Sequence, residues 1–266
     1  MYNKKATISE REMLMFHRLK QTIAAHPVAL ALIFFLFYFA GFFGLEQLIS
    51  QPKYIIYCGL DSLIPFNEWF IFAYGAWFAL IPWALIALLI RDRSSYFYLC
   101  AVMFSGMAIS LLLYLLFPNG VQLRPETIAG DNIAASLMQM VWAVDTSTNV
   151  CPSIHVSTTV AIFLAVRRSR IWQRRSLVVG GCGVLAALIC LSTVFLKQHS
   201  VIDVLCGIAL TLVLHLVVSR LMARSQLTAE RTSRTGQHLA RLISKIKKAP
   251  SGKEGAFFYA RLAPRR

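Results

Sequence analysis

Long apolar stretches without charged residues alternate along the chain with short polar segments. Four of these stretches hold about 18 or more uncharged residues, the length of helix that crosses the hydrocarbon core of a bilayer. Two further stretches are less pure, because each carries one or two ionisable residues. Apolar and polar residues do not alternate with a period of two, so the pattern predicts helices and not strands. The six stretches are residues 28–45, 69–90, 96–117, 152–166, 177–196 and 201–219.

The pattern as a whole predicts one membrane domain between two polar termini. We expect an all-α polytopic membrane protein, a bundle of six transmembrane helices, over residues 28–222. Residues 1–27 are predicted to be a cytoplasmic amphipathic leader and residues 223–266 a basic cytoplasmic tail, because both place apolar stripes among basic residues. Residues 132–144 carry apolar side chains on one helical face after a possible cap at Asp131, which predicts a short interfacial helix on the outer surface.

Composition supports a membrane protein and excludes two other classes. The chain has 266 residues, of which 57% are hydrophobic and 15% charged, and its 27 Lys and Arg against 12 Asp and Glu give a net charge of +15. A disordered chain would hold fewer apolar residues. A nucleic-acid-binding domain would mix its cations with polar residues and not separate them by long uncharged runs, so no nucleic-acid partner is expected.

The cations divide unevenly between the two sides of the predicted bundle. All of the 27 except Lys53, Arg124 and Lys197 lie before the first stretch, between the second and third, between the fourth and fifth, or after the sixth. Positively charged segments stay on the cytoplasmic side of a membrane. We therefore expect a multi-pass protein of the cell membrane with both termini in the cytoplasm and the remaining loops outside.

A histidine and an aspartate mark the outer start of the sixth stretch. His199 and Asp203 are four residues apart, so on a helix that begins near Ser200 they share one face. The carboxylate can then accept the imidazole N–H and leave the other ring nitrogen free as a nucleophile. A purely structural hydrogen bond between a buried histidine and aspartate is the alternative interpretation.

The outer start of the fourth stretch has a second polar cluster, CPSIH at residues 151–155. Proline suits a first helical turn, and the free N–H groups of that turn with the Ser153 hydroxyl can hold an anion below His155. An ordinary interfacial helix start is the alternative. Arg124 is the single arginine on the predicted outer side, where an isolated arginine commonly contacts lipid headgroups.

These residues come from three separate segments, yet the predicted topology places them all at the same membrane depth. Two histidines, a carboxylate, a hydroxyl, two cations and a helix N-terminus together favour phosphoryl transfer through a phosphohistidine. No carboxylate cluster or Cys/His spacing indicates a metal site, and no cofactor is expected. The predicted catalytic residues are His199, His155 and Asp203, and the predicted phosphate-binding residues are Arg124, Ser153 and Lys197.

At these positions the sequence resembles the type 2 phosphatidic acid phosphatase family, whose motifs are K-x6-RP, PSGH and SR-x5-H-x3-D. The matching segments are FPNGVQLRP at residues 117–125, PSIH at 152–155 and STVFLKQHSVID at 192–203. The resemblance implies a six-helix membrane bundle. It also implies that His199 is the nucleophile, that Asp203 orients it, and that His155 is the general acid and later the base. Phosphate would be bound by Arg124 with Ser153.

The chain departs from the family motifs at three positions. Phe117 replaces the lysine of the first motif and Thr193 replaces the arginine of the third, so two phosphate cations are missing. Lys197, two residues before the predicted nucleophile, is a candidate to replace one of them. Ile154 replaces the glycine of the second motif, and in this respect the chain is similar to the branch that includes inositol phosphorylceramide synthases.

The predicted function is that of a metal-independent membrane phosphatase for outward-facing lipid phosphates or diphosphates. Candidate substrates are phosphatidic acid, phosphatidylglycerol phosphate and undecaprenyl diphosphate. One alternative is a lipid headgroup phosphotransferase of the inositol phosphorylceramide synthase type, which passes the phosphoryl group to an alcohol. Another is a transporter or scaffold that only binds lipid headgroups. The sequence leaves the oligomeric state and the choice between water and alcohol open.

Two cysteines, Cys58 and Cys151, are predicted outside the membrane on the same side. A disulfide between them would tether the first outer loop over the site, provided that their Cα atoms approach within about 7 Å. The alternative is that the two thiols are far apart.

Overall fold

Helices form nearly all of the regular structure, as the hydrophobic pattern predicts. The computed structural model describes Met15 and residues 21–23, 25–128 and 130–247. Its helices are α1 (Pro27–Leu48), α2 (Gly59–Leu63), α3 (Ile71–Arg91), α4 (Arg93–Leu116), α5 (Ile133–Val144), α6 (Ile154–Arg168), α7 (Ser176–Phe195) and α8 (Val201–Lys247). A 3-10 turn at Glu68–Phe70 leads into α3, and the two-residue strands β1 (Tyr54–Ile55) and β2 (Asn119–Gly120) pair in parallel.

Five segments are long and apolar enough to cross a membrane, and they indicate a membrane-embedded protein. They are Pro27–Leu48, Glu68–Arg91, Arg93–Leu116, Ser176–Phe195 and Val201–Thr228. The sequence predicted six. The remaining stretch forms α6, which has only 15 residues, about 22 Å of helix at 1.5 Å per residue against a hydrocarbon core of about 30 Å.

Helix α6 lies among the other helices and packs against α3, α4 and α7. Its inward residues Val156, Ala161, Ile162 and Ala165 have no solvent exposure. Because neighbouring helices cover it, α6 tolerates the serines and threonines that make its sequence less apolar than the five longer segments.

The chain divides into two units, Met1–Val218 and Ser219–Arg266. The first unit contains α1 to α7, the start of α8 and every site residue discussed below. The second contains the rest of α8. Most of the predicted leader, and residues 248–266 of the predicted tail, lie outside the described residues.

The predicted interfacial helix is present as α5, with a different cap. The side chain of Asn132, and not that of Asp131, accepts a hydrogen bond from the Ala135 N–H at 2.9 Å. Asn132 also donates to Glu68 at 3.0 Å, which ties α5 to the start of α3. The outer face of α5 exposes Ile133, Met140 and Val144, as expected for a helix at a lipid boundary.

Candidate active site

The starts of α6 and α8 are held in direct contact, and this contact positions the predicted catalytic residues. The Ser153 N–H donates to the carbonyl of Asp203 at 3.1 Å. Gly207 allows the close approach, because a Cβ at this position would lie 2.8 Å from the Ser153 carbonyl oxygen. The Thr211 hydroxyl adds a hydrogen bond to the carbonyl of Ser157 at 3.0 Å.

His199, Asp203 and His155 meet at this contact. His199 Nδ1 lies 3.4 Å from Asp203 Oδ2, and the two rings of His155 and His199 are 5.9 Å apart between centroids. The His–Asp contact is within ion-pair range but is not aligned as a hydrogen bond. Asp203 Oδ2 also accepts the Ser200 N–H at 2.9 Å, which holds the carboxylate at the start of α8. His199 therefore keeps Nε2 available for chemistry.

Two aromatic residues of α3 fix the ring of His155. Tyr74 stacks on it with 4.5 Å between centroids, and Trp77 lies at 4.2 Å. Trp77 is itself anchored by its indole N–H, which donates to Thr158 Oγ1 at 2.8 Å. Packing of this kind restricts His155 to one orientation beside His199.

Arg124 reaches the site through Gln198, the residue before the predicted nucleophile. Its guanidinium donates to Gln198 Oε1, and at 3.1 Å to the carbonyl of Thr146. It also lies over the ring of Trp142 at 5.6 Å. Burial lowers the pKa of Arg124, and the nearby Asp145 opposes this shift.

Besides His199 Nδ1, three buried nitrogens at the site lack a hydrogen-bond partner among the described residues: Arg124 Nε, Gln198 Nε2 and His155 Nε2. Buried donors without partners are costly. Oxygens of a bound anion would satisfy them. Ser153 differs from these three residues, because its hydroxyl already has a partner. The hydroxyl caps α6 by accepting the Val156 N–H at 3.4 Å, and the residue is fully buried.

The prediction that Lys197 supplies a phosphate cation does not agree with its position. Its ammonium donates to the main-chain carbonyls of Asp61, at 2.6 Å, and Ile64. Lys197 adopts a positive φ of 56°. It is buried there, and its positive charge lies beside the carboxylate of Asp61. Lys197 thus connects α2 to the segment before the nucleophile.

Asp61 is a site residue that the sequence analysis missed. Its carboxylate accepts from Ser200 Oγ at 2.6 Å, the Val201 N–H at 2.8 Å and the Cys58 N–H at 2.8 Å. Asp61 therefore caps α8 directly after His199, although the two residues are far apart in sequence. Gln198 was missed as well, and its position next to His199 was the only available sequence signal.

The predicted disulfide is not formed, since Cys58 and Cys151 are both free thiols. Cys58 is the N-cap of α2 and engages Asp61. Cys151 lies next to Asp203 and Cys206 of α8, and burial, with these neighbours, raises its pKa. The two thiols therefore have separate environments.

A cavity of about 250 Å³ opens in front of His199 and His155. One part is apolar and aromatic, lined by Tyr38, Phe39, Phe42 and Phe43 of α1 and by Trp77 and Phe78 of α3. The other part is polar, lined by Glu46, Asp145, Thr146, Thr148, Asn149, Gln198 and both histidines. We call the whole space the active-site cavity.

Comparison with known families matches residues 95–227 to the PAP2 superfamily model. The match covers half of the chain and includes Arg124, Ser153, His155, His199 and Asp203. The chain belongs to the PAP2 superfamily, and membership indicates a phosphatase-type activity on lipid phosphates. No curated protein and no solved structure gives a match.

Proposed function

We propose that the protein is a membrane lipid phosphate phosphatase that works through a phosphohistidine on His199. The observation that carries the proposal is the meeting of His155, His199 and Asp203 beside a cavity that is lined by both polar and aromatic side chains. Such a cavity suits a ligand with a phosphate head and an apolar chain.

In the proposed reaction, His199 Nε2 attacks phosphorus and the bond from phosphorus to the lipid oxygen breaks. His155 gives a proton to that oxygen as the lipid alcohol leaves. Water then attacks the phosphohistidine, the P–N bond breaks, and His155 takes the proton from the water. Asp203 holds the His199 ring through Nδ1 and offsets the positive charge that forms on it.

Phosphate binding would rest mainly on the donors that lack partners. Arg124 and Gln198 carry such donors, and the first turn of α6 would add its main-chain N–H groups beside His155. The helix N-terminus adds partial positive charge. Lys197 is not part of this proposal, because its ammonium is engaged with α2.

The lipid chain would enter from the side of the bundle. Phe39, Phe43 and Phe78 line the cavity and are also exposed on the outer surface of the helices. A second apolar groove between α3 and α5 shares Tyr74, Phe78, Val141 and Val144 with the cavity. Substrate could thus reach the site from the membrane without leaving the apolar phase.

We further propose that α6 completes a bundle of six spans, with both termini cytoplasmic and the site on the outer face. The charge distribution supports this orientation. A membrane-impermeant thiol reagent added to intact cells should label Gln122→Cys and not Gln173→Cys in a background without the native cysteines. Labelling of Gln173→Cys alone would reverse the orientation and place the substrate on the inner leaflet.

The activity test is incubation of the purified protein with phosphatidic acid, phosphatidylglycerol phosphate and undecaprenyl diphosphate in EDTA. We expect release of inorganic phosphate from at least one substrate, because the proposed chemistry needs no metal. Loss of activity in EDTA that returns with a divalent cation would contradict that mechanism. Binding of these lipids without any turnover, by themselves or with alcohol acceptors, would favour a transporter or scaffold.

A headgroup phosphotransferase is the second candidate. It is favoured by the two carboxylates, Glu46 and Asp145, that line the cavity on its polar side. Water needs no dedicated acceptor groups, whereas a larger headgroup or alcohol does. Addition of candidate alcohols to the same assay, with analysis of new phosphate esters, separates transfer from hydrolysis.

A further inference from the structure

The charge of the active-site cavity is unusual for a phosphate site. Its described lining includes two carboxylates, Glu46 and Asp145, and no lysine or arginine. Arg124 approaches from behind Gln198 and Thr146 and is the cation that reaches this wall. A dianionic phosphate monoester would therefore add two negative charges to a site where one guanidinium already faces two carboxylates.

The two carboxylates on the polar side already accept hydrogen bonds from neighbouring hydroxyl groups. Glu46 Oε1 accepts from Thr146 Oγ1 at 2.7 Å, and Asp145 Oδ2 accepts from the Tyr74 hydroxyl at 3.2 Å. Each carboxylate keeps capacity for a further donor. Burial raises the pKa of Asp145, Arg124 and His199 oppose the rise, and Glu46 adds to it.

Asn149 provides an independent sign that a donor binds here. It is only 4% exposed, lines the cavity, and its Oδ1 has no hydrogen-bond partner among the described residues. Its amide nitrogen is turned to Thr148 Oγ1 at 3.3 Å. A buried oxygen without a partner, in a cavity that two carboxylates also line, favours a ligand that donates hydrogen bonds.

We propose that Glu46, Asp145 and Asn149 form a subsite for an ammonium group. A cation is favoured over a neutral polyol because it also balances the two carboxylates, and because Tyr38, Phe42 and Tyr74 present aromatic rings to the same cavity. The proposal rests on the phosphoryl chemistry of His199 and names the substrate: a phosphate ester whose transferred group or whose acceptor carries an amine.

The ammonium can come from two sources, and both give balanced reactions. In the first, His199 attacks an ethanolamine phosphodiester lipid, diacylglycerol leaves with a proton from His155, and water releases phosphoethanolamine from His199. In the second, His199 attacks phosphatidic acid and diacylglycerol leaves with a proton from His155. The hydroxyl of free ethanolamine then attacks phosphorus, the P–N bond breaks, and His155 takes the hydroxyl proton. Both reactions form phosphoethanolamine and diacylglycerol.

The test compares ethanolamine with a propyl group, which has nearly the same size and no charge. In the donor arm, diacylglycerol release is measured from phosphatidylethanolamine and phosphatidylpropanol. In the acceptor arm, phosphatidic acid is supplied with ethanolamine or 1-propanol and the new phosphate ester is measured. We expect a preference of about tenfold in kcat/KM for the amine in one arm, the size of one charge-assisted contact. The arm that shows it identifies the source.

Substitution tests whether the carboxylates cause this preference. Glu46→Gln and Asp145→Asn should each bring the amine-to-propyl ratio close to one. Glu126→Gln, which changes an exposed carboxylate outside the cavity, should keep the wild-type ratio. Three results would each overturn the proposal. The first is an amine-to-propyl ratio near one in both arms for the wild type, and the second is a ratio that neither substitution changes. The third is a preference for phosphatidylglycerol over phosphatidylethanolamine. If one variant fails to fold, the other variant and the amine-to-propyl ratio of the wild type still test the proposal.

Failure of the phosphoryl chemistry can be told apart from failure of the subsite. In the His199→Ala protein, thermal stabilisation by phosphatidylethanolamine should exceed that by phosphatidylpropanol, because the subsite does not need the nucleophile. If the wild type turns over no phosphate ester but this difference is present and disappears with Glu46→Gln, the proposed enzymatic function is wrong and the ammonium subsite stands. If turnover occurs and neither assay shows a preference, the subsite is wrong.

Discussion

Replacement of His199 by alanine is expected to abolish turnover of every phosphate ester, with a loss of about four to six orders of magnitude in kcat. Among the described residues that line the cavity, the other imidazole is that of His155, which packs against Tyr74 and Trp77 and acts as the acid in the proposed reaction. The measurement is phosphate release from the best lipid substrate, with folding checked by gel filtration and thermal unfolding. Turnover at the wild-type rate would exclude the phosphohistidine.

Substitution of His155 should have an effect that depends on the leaving group. His155→Ala is expected to slow release of a lipid alcohol by about 10²- to 10⁴-fold, the usual contribution of a general acid. A nitrophenyl phosphate ester needs no proton on its leaving oxygen, so its turnover should fall far less. Asp203→Asn should lie between the two, because it disturbs the orientation of His199 without removing the nucleophile. Equal losses on both substrates would show that His155 does not act as the acid.

The sequence was most informative where the physical rule is local. Hydropathy located five segments that are long enough to span a membrane, because backbone groups in lipid must pair within a helix. The spacing of four residues between His199 and Asp203 predicted their contact, and the two side chains do meet, although α8 begins at Val201 and His199 lies just before its first turn. Family membership then confirmed the resemblance that these motifs indicate.

Long-range contacts were not predictable from the same rules. Lys197 has the charge of a phosphate ligand and lies two residues before His199 in the sequence. In the structure, however, its ammonium donates to the carbonyls of Asp61 and Ile64. The role of Asp61 depends on a contact between segments far apart in the sequence, and nothing local to α2 indicates it. Helix α6 is as long as the predicted stretch at residues 152–166 but lies two residues further along the chain, because hydropathy does not show that Pro152 and Ser153 stay outside the helix.

Outside the catalytic residues, substitution of Asp61 is expected to have the largest effect on stability and turnover. Although burial acts to raise it, hydrogen bonds from Ser200, Val201 and Cys58 lower the pKa of Asp61 below its usual value. A carboxylate with a lowered folded pKa stabilises the protein above its unfolded pKa of about 4, and that contribution is lost as the pH falls through the folded pKa. We expect Asp61→Asn to weaken the acid sensitivity of thermal unfolding, measured in detergent between about pH 6 and pH 3.

Asp61→Ala should also reduce kcat, because it releases the start of α8 where His199 is held. We expect a loss of about 1–3 kcal/mol in stability from the unpaired donors and a fall of roughly tenfold or more in kcat with little change in KM. Asp61→Asn, which can still accept from Ser200, should recover part of the rate. Asp92 supplies the control, because it caps α4 and accepts from Ser95, Ser169 and Arg170 away from the cavity. Asp92→Ala should lower stability by a similar amount and leave kcat unchanged, since the partners that its carboxylate has among the described residues do not include His199 or its neighbours. If both alanine variants lowered kcat equally, the effect of Asp61 would be one of stability and not of positioning.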